Sequence, residues 1–219
     1  MALGAILLSA LAVGLTILLY SNSCEAAPEA LTQKSAIVAT RLPTNLEPLH
    51  YRLQLMPFLN QQNFTTNGAV SVTLNVIEDT DKIAINMYDI TVHNDSVKVK
   101  HLNQSENIEV TDQKYDNISQ IYTIYLKDSL KKGELYELEI KFISKLNDKM
   151  QGFYRSHYID PKTNTTKWMA STQFSPTDAR RAFPCFDEPS FKAKFTISIA
   201  RPNNMTTISN MPKRATDPM

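Results

Sequence analysis

The residues best suited to chemistry lie in one segment, where a single cysteine is followed by two acids. Cys185 lies between a proline and a phenylalanine, and Asp187 and Glu188 come directly after them. A cysteine nucleophile needs a basic partner that lowers its pKa, and an acid–base pair needs two carboxyls that face one reacting group. Adjacent residues point apart on most backbones, and the flanking prolines indicate a turn. We therefore expect Cys185 to be a buried apolar side chain. The two acids are expected to cap backbone or to pair with Arg180 or Arg181.

Other catalytic and metal-binding patterns are absent from the sequence. No two of the four histidines are four residues apart, so the chain holds no H-E-x-x-H motif. It also lacks C-x-x-C, a nucleophile elbow G-x-S-x-G and a phosphate-binding glycine loop, since only five glycines occur. A serine–histidine–aspartate triad built from distant parts of the chain stays open. The residues alone predict a domain with no self-contained active site.

The approach to Cys185 combines an apolar run with a helix-start pattern. Residues 168–174 are mostly apolar, and Ser175-Pro176-Thr177-Asp178 follow. Serine as the cap, proline at the first helical position and an acid in the first turn are typical of a helix amino terminus. Because Pro184 cannot continue a helix, the helix is expected to last only a turn or two.

Most of the remaining chain alternates apolar and polar residues with a period of two. Alternation of this kind predicts half-buried strands, and no amphipathic helix of ten or more residues is visible. The sequence therefore predicts an all-β domain of antiparallel strands, a sandwich or curved double sheet. Strands are expected at 49–55, 70–76, 83–87, 90–92, 97–99, 108–110, 121–126, 136–142 and 191–199.

The amino terminus differs from the rest of the chain. Residues 2–20 carry no charge, which predicts a hydrophobic helix, and residues 1–26 resemble a secretory leader with cleavage after Ala26. A retained signal anchor is the alternative, but no Lys or Arg precedes Lys34 to form a cytoplasmic flank. Residues 27–40 are small and polar and are expected to be a linker. Both alternatives place the remainder outside the cytoplasm, at the cell surface or beyond it, with a membrane contact only if the leader is retained.

The cysteines and the sequons agree with a secreted or cell-surface protein, and the net charge bears on its partners. Of the two cysteines, Cys24 would leave with the leader, so no disulfide framework is expected. The net charge of +1 and the lack of a basic stretch argue against a nucleic-acid partner. Six sequons predict N-linked glycosylation, at Asn63, Asn94, Asn103, Asn117, Asn164 and Asn204.

Several separated segments together resemble the aminopeptidase N family of zinc metallopeptidases. The strongest is Ser171 to Pro189, STQFSPTDARRAFPCFDEP, which we call the signature segment. The order and spacing of the segments agree with the family over about four fifths of the chain. The others are Arg41-Leu42-Pro43-Thr44, His50-Tyr51-Arg52-Leu53, Gly152-Phe153-Tyr154-Arg155-Ser156, Arg201-Pro202 with Met205-Thr206, and Ser209-Asn210-Met211-Pro212.

The resemblance implies a saddle-shaped antiparallel β domain that packs against a thermolysin-like catalytic domain. In the family, that catalytic domain carries H-E-x-x-H, a distant glutamate and G-A-M-E-N. The amino-terminal domain lends one glutamine or glutamate, which helps to bind the free amine of the substrate. By motif this substrate-binding residue is Gln173. The alternative is a strand-end glutamine that only bonds backbone. The sequence departs from the family at Ser175, where many members carry glutamate, and at Ser144 and Ala200, where glycine is frequent.

Residues 41–219 are expected to form this domain in a form that is incomplete at its carboxyl end. Unpaired backbone and an exposed apolar face would follow. On this hypothesis the chain is the front piece of an enzyme, inactive alone and without a cofactor of its own. Zinc and the peptide substrate belong to the full-length parent. The alternative is a secreted, non-catalytic glycoprotein that binds a partner through an open β edge.

Overall fold

The described part of the protein is built from β-strands and two short turns of 3-10 helix. The computed structural model describes residues 41–60, 63–104 and 107–217. The predicted leader, hydrophobic helix and linker of residues 1–40 lie outside them. The strands are β1 (Leu46–Pro57), β2 (Thr65–Val76), β3 (Thr80–Asn86), β4 (Ile90–Val92), β5 (Lys98–His101), β6 (Asn107–Ile108), β7 (Val110–Asp116), β8 (Ile121–Leu130), β9 (Leu135–Lys145), β10 (Gly152–Asp160), β11 (Thr165–Gln173) and β12 (Lys194–Ile199). The 3-10 turns are Asn94–Ser96 and Ala179–Arg181.

The strands form two sheets and a separate hairpin. A seven-stranded sheet has the order β12-β1-β2-β9-β5-β6, with β4 also paired to β9. A three-stranded sheet has the order β3-β8-β7, and β10 pairs only with β11. Every pairing is antiparallel except that of β12 with β1. The predicted all-β class is confirmed, and the parallel pair is the one departure from antiparallel order. Parallel pairing is possible because β1 ends at Pro57 and β12 begins at Lys194, so ten other strands lie between the two partners in the chain.

One apolar core joins the two sheets. Alternate residues of the central strands point inward, so β1 contributes Leu53 and β9 contributes Leu138 and Phe142, while β3 and β8 contribute Ile83 and Ile124. Each of these side chains is at most 3% exposed. This packing of alternating strands is what makes the chain able to fold without a disulfide.

The opposite face of the seven-stranded sheet is polar and holds one buried carboxylate. Glu137 of β9 is 2% exposed because the side chains of neighbouring strands cover it. Arg52 of β1 and Lys100 of β5 form ion pairs with it, and the Ser71 hydroxyl of β2 donates to it. The carboxylate is thus paired and hydrogen-bonded, which offsets the cost of removing it from water.

Most of the predicted strands are confirmed, but the last begins at Lys194 rather than near residue 191. The predicted strand 108–110 is wrong, because it spans the end of β6 and the start of β7, and most of β7 was not predicted. The strands of the β10–β11 hairpin are missing from the predicted set. Their outer halves are exposed on both faces, as Ser156, His157 and Tyr158 show, so they lack a clear period of two.

The predicted helix at Ser175 is wrong. Residues 175–178 form turns, the Ser175–Pro176 peptide is cis, and only Ala179–Arg181 is helical, as a single 3-10 turn. Long-range contacts outweigh the local signal. The Arg180 carbonyl, which would continue a helix, accepts from the Tyr88 N–H at 2.9 Å.

No helix of the described residues is long and apolar enough to cross a membrane.

Candidate functional site

Gln173 is the last residue of β11, and its side chain is exposed. Its Nε2 donates to the carbonyl oxygen of Ser175 at 3.3 Å. Since a carbonyl can only accept, this bond requires the amide NH₂ to face the backbone and turns Oε1 away from it. No described residue donates to Oε1, which can therefore accept from an ammonium. The bond also fits the backbone-bonding alternative, so substrate binding by Gln173 stays a prediction.

The hairpin that carries Gln173 is held to the body of the domain at its base. Arg155 of β10 donates to the Leu146 carbonyl and pairs with Asp148 at 3.0 Å. Its guanidinium also lies 4.6 Å from the centre of the Phe64 ring, and the Trp168 ring of β11 lies 4.6 Å from the same ring. A cation over an aromatic face and a packed aromatic pair each stabilise such a joint. The strand end at Gln173 is thus fixed by both strands of the hairpin.

The signature segment connects both sheets after it leaves the hairpin. The backbones of Cys185 and Asn86 bond to each other in both directions, at 2.8 and 3.0 Å. The Asp187 N–H donates to the Asn86 side chain at 3.2 Å. The Phe186 N–H donates to the hydroxyl of Tyr51, a residue of β1, at 3.1 Å. Asn86 belongs to β3, so the segment is tied to the three-stranded and the seven-stranded sheet at once.

The two acids of the signature segment have structural partners. Arg180 Nε binds Asp187 Oδ2 at 2.8 Å, which confirms the predicted salt bridge. Glu188 pairs instead with Arg41 at 3.1 Å and accepts from the Leu42 N–H at 2.6 Å. The carboxyls therefore face different partners and do not converge on one reacting group.

Cys185 is buried, as predicted, with 4% of its surface exposed. Burial raises the pKa of its thiol well above the ordinary value, because the charged thiolate would lose its hydration. A thiol in this state is a poor nucleophile.

A zinc centre does not fit the described residues, which contain no group of three or more His, Cys, Asp or Glu able to hold a metal. Two of the four histidines have side-chain partners of other kinds. His50 bonds to Thr196 at 2.9 Å and His101 to Glu134 at 2.9 Å. The zinc that the family implies would need ligands from other residues.

An apolar surface lies beside Gln173. Phe174, Phe195 and Ile197 are 38%, 51% and 44% exposed. The buried Phe183 ring lies 6.2 Å from Phe174 and 6.5 Å from Phe195, so the exposed rings are continuous through it. We call these four residues the aromatic patch. An exposed patch of large apolar side chains is typical of an interaction surface, as the resemblance predicts for this domain.

Five of the six predicted glycosylation sites are exposed: Asn94, Asn103, Asn117, Asn164 and Asn204. Asn63 is half-buried, and its Oδ1 accepts from the hydroxyl of Thr65 at 2.6 Å. Glycosylation stays a prediction at all six.

Comparison with known proteins identifies the domain. Residues 47–219 match the peptidase M1 N-terminal domain. The chain is 40% identical to a puromycin-sensitive aminopeptidase of Caenorhabditis elegans over 177 residues, which are 81% of this chain and 18% of that protein. It is 37% identical to aminopeptidase N of Bos taurus, over 80% of this chain and 18% of the relative. For aminopeptidase N of Homo sapiens the values are 33% identity, 86% of this chain and 20% of the relative.

The chain thus spans about a fifth of the length of these relatives. The matches are to peptidases, and nothing in them favours the non-catalytic glycoprotein considered as the alternative. The match over residues 47–219, together with the all-β fold, shows that this chain belongs to the M1 peptidase family through its amino-terminal domain.

Proposed function

We propose that this domain supplies Gln173 to the substrate-amine pocket of a zinc aminopeptidase that removes amino-terminal residues from peptides. The domain is not catalytic by itself. The observation that carries the proposal is that the NH₂ of the exposed Gln173 amide is bound to the Ser175 carbonyl, while no described residue donates to Oε1.

The proposed role follows from the chemistry of the amide. A peptide with a free amino terminus presents an ammonium group with three donors and no acceptor. A neutral amide oxygen can accept one of these donors without the desolvation cost of a carboxylate. Because Nε2 is already bonded to backbone, the orientation of Oε1 is set before substrate arrives. Preorganisation of this kind reduces the entropy lost on binding.

The rest of the active site must come from a catalytic domain that packs beside Gln173. The aromatic patch is adjacent in sequence and space, since Phe174 follows Gln173 directly and contacts Phe183. Gln173 is exposed on the surface of the domain, so its pocket needs a second wall. We assign that wall, the zinc ligands and the general base to the catalytic domain. The described residues hold no zinc ligand set, and their part is to bind and orient the amine.

The role of Gln173 is tested by Gln173→Ala in the full-length enzyme, with chromogenic aminoacyl amides as substrates. Loss of a hydrogen bond to a charged group costs about 1.5–3 kcal/mol. KM is therefore expected to rise about 10- to 100-fold, with a smaller change in kcat. Gln54→Ala, which truncates an exposed glutamine of β1, is the control and should leave KM unchanged. Equal KM values for the two variants would refute the role of Gln173.

The non-catalytic status of the domain is tested separately. Residues 27–219 are expressed alone and assayed for release of an amino-terminal residue from the same amides. We expect no turnover with or without added zinc. Zinc-dependent turnover by this polypeptide would refute the assignment of peptide hydrolysis to a separate catalytic domain.

We further propose that the protein is exported and glycosylated. The support is the uncharged run at residues 2–20 and the exposure of five sequon asparagines. Protein from a eukaryotic secretory host should lose mass when treated with an amidase that removes N-linked glycans. A variant with Gln at all six asparagines is the control. Retention of the untagged protein in the cytosol would contradict the proposal.

A further inference from the structure

Gly152 occupies an unusual place beside Gln173. It is the first residue of β10, it is buried, and its register partner is Gln173. Its φ of +67° lies in the left-handed region, which a residue with a side chain adopts at a cost. The same residue thus starts one strand and meets the end of the other.

The space beside Gly152 is filled by the 3-10 turn of the signature segment. A Cβ at position 152 would lie 2.6 Å from Arg181 Cβ and 3.0 Å from the Asp178 carbonyl oxygen. Real Cβ atoms essentially never approach a neighbour as closely as 2.6 Å, and 3.0 Å is tighter than most of their contacts. Arg181 Cβ is attached directly to backbone, so it cannot rotate away as the end of a flexible side chain could. A methyl group at 152 must therefore move either β10 or the turn.

Contacts other than the one with Gly152 hold the turn in place, so it has little freedom to move. Arg181 Nε pairs with Asp178 Oδ1 at 2.7 Å, and its guanidinium lies 4.1 Å from the centre of the Tyr88 ring. The Asp178 N–H donates to the Phe174 carbonyl at 2.8 Å. Gly152 therefore contacts both ends of the loop formed by residues 174–177, because it pairs with Gln173 at one end and packs on Asp178 at the other.

We propose that Gly152 is a positioning residue for Gln173. Its missing side chain lets β10 lie against the turn at Asp178–Arg181, and this contact closes the loop that follows Gln173. Closure sets the position of the Ser175 carbonyl, which in turn holds the Gln173 amide. The inference rests on the proposed role of Gln173 in binding the substrate amine and extends it to a residue that touches no substrate.

The chain offers a matched control for the test. Gly133 also has a positive φ, +81°, but a Cβ there would meet nothing within 4 Å. Gly133→Ala and Gly152→Ala therefore share the backbone cost and differ in the steric contact. In the full-length enzyme, Gly152→Ala is expected to raise KM for aminoacyl amides about tenfold with little change in kcat, since displacement of an orienting group weakens productive binding. Gly133→Ala should leave KM within about twofold of the wild-type value. Equal KM values for the two variants would overturn the proposal.

A second substitution tests the contact itself. Arg181→Gly removes the Cβ that a methyl at 152 would meet. In that background Gly152→Ala should raise KM by less than about threefold, because the two changes share one contact and are not additive. An increase as large as in the parent background would overturn the proposal. If Gly152→Ala alone yields no folded enzyme and Arg181→Gly alone does, a folded double variant supports the contact, and an unfolded double variant overturns it.

Failure of the inference is distinguishable from failure of the proposed function. If Gln173→Ala leaves KM unchanged, the role of Gln173 is refuted. If Gln173→Ala raises KM but Gly152→Ala behaves like Gly133→Ala, only the positioning role is refuted. A readout without substrate is hydrogen exchange of the backbone amides at residues 171–178. Their exchange should accelerate in Gly152→Ala and not in Gly133→Ala.

Discussion

The ion pair between Arg180 and Asp187 offers the sharpest test of how the signature segment is held. Each side chain is 12% exposed, and Arg180 Nε lies 2.8 Å from Asp187 Oδ2. Arg180 also donates to Gln120 Oε1 at 3.1 Å and to the Asp187 carbonyl at 3.4 Å. Arg180→Met keeps much of the aliphatic stem and removes all three of these donors.

The expected cost can be worked out from these contacts. The bond to the carboxylate contributes about 1.5–3 kcal/mol, and each bond to a neutral oxygen contributes about 0.5–1.5 kcal/mol. Their sum agrees with the loss of about 3–5 kcal/mol that follows when one partner of a buried ion pair is removed. Most of that cost is the Asp187 charge left without its partner. Arg180→Met should therefore lower the free energy of unfolding by about 3–5 kcal/mol.

Lys127→Met is the matched control. Lys127 pairs with Glu109 at 2.7 Å, nearly the same distance, but the two side chains are 62% and 63% exposed. An exposed pair contributes little to stability, because water and salt screen it, so Lys127→Met should cost much less than Arg180→Met. The measurement is urea denaturation at neutral pH of the wild-type protein and both variants, followed by circular dichroism.

A second variant separates the buried charge from the lost hydrogen bonds. Arg180→Met combined with Asp187→Asn removes the uncompensated carboxylate and should be more stable than Arg180→Met alone. Two results would refute the reasoning. One is a loss for Arg180→Met no larger than that for Lys127→Met, and the other is no gain from Asp187→Asn.

Three other predictions follow from buried contacts. Gly68→Ala places a methyl against the Phe142 ring, which is 1% exposed and cannot retreat, so thermal denaturation should show a loss of about 1–3 kcal/mol. Phe142→Leu in the Gly68→Ala background should recover part of that loss if the clash is its cause. Since burial raises the pKa of the Cys185 thiol, iodoacetamide should label it at least about 100-fold more slowly in native than in urea-unfolded protein at pH 8, and equal rates measured by mass spectrometry would contradict its burial. Burial raises the pKa of Tyr122 to about 12, so the unfolded chain loses this proton first. Stability should fall between about pH 10 and 12, and Tyr122→Phe should reduce the fall seen in alkaline denaturation.

Much of the fold was predictable because its causes are local in the sequence. Alternation with a period of two, as at Val70, Val72 and Leu74, requires only that one face of a strand be buried. The salt bridge of Asp187 was predictable for a similar reason, since Arg180 lies seven residues away in the same proline-bounded segment. The hairpin of β10 and β11 was not, because its outer half packs on nothing that would impose a pattern.

The features of the candidate site also separate into those with local causes and those with long-range causes. The sequence by itself determined the all-β class, the burial of Cys185 and, by resemblance, the choice of Gln173. The tertiary structure decided that β12 runs parallel to β1, that Ser175 begins no helix, and that Gly152 packs against the turn at Asp178–Arg181. Contacts between residues far apart in the chain, such as Tyr88 with Arg180 and Gly152 with Arg181, outweigh local propensity there. Local signals are worth about 1 kcal/mol each, and a packed, hydrogen-bonded contact can exceed them.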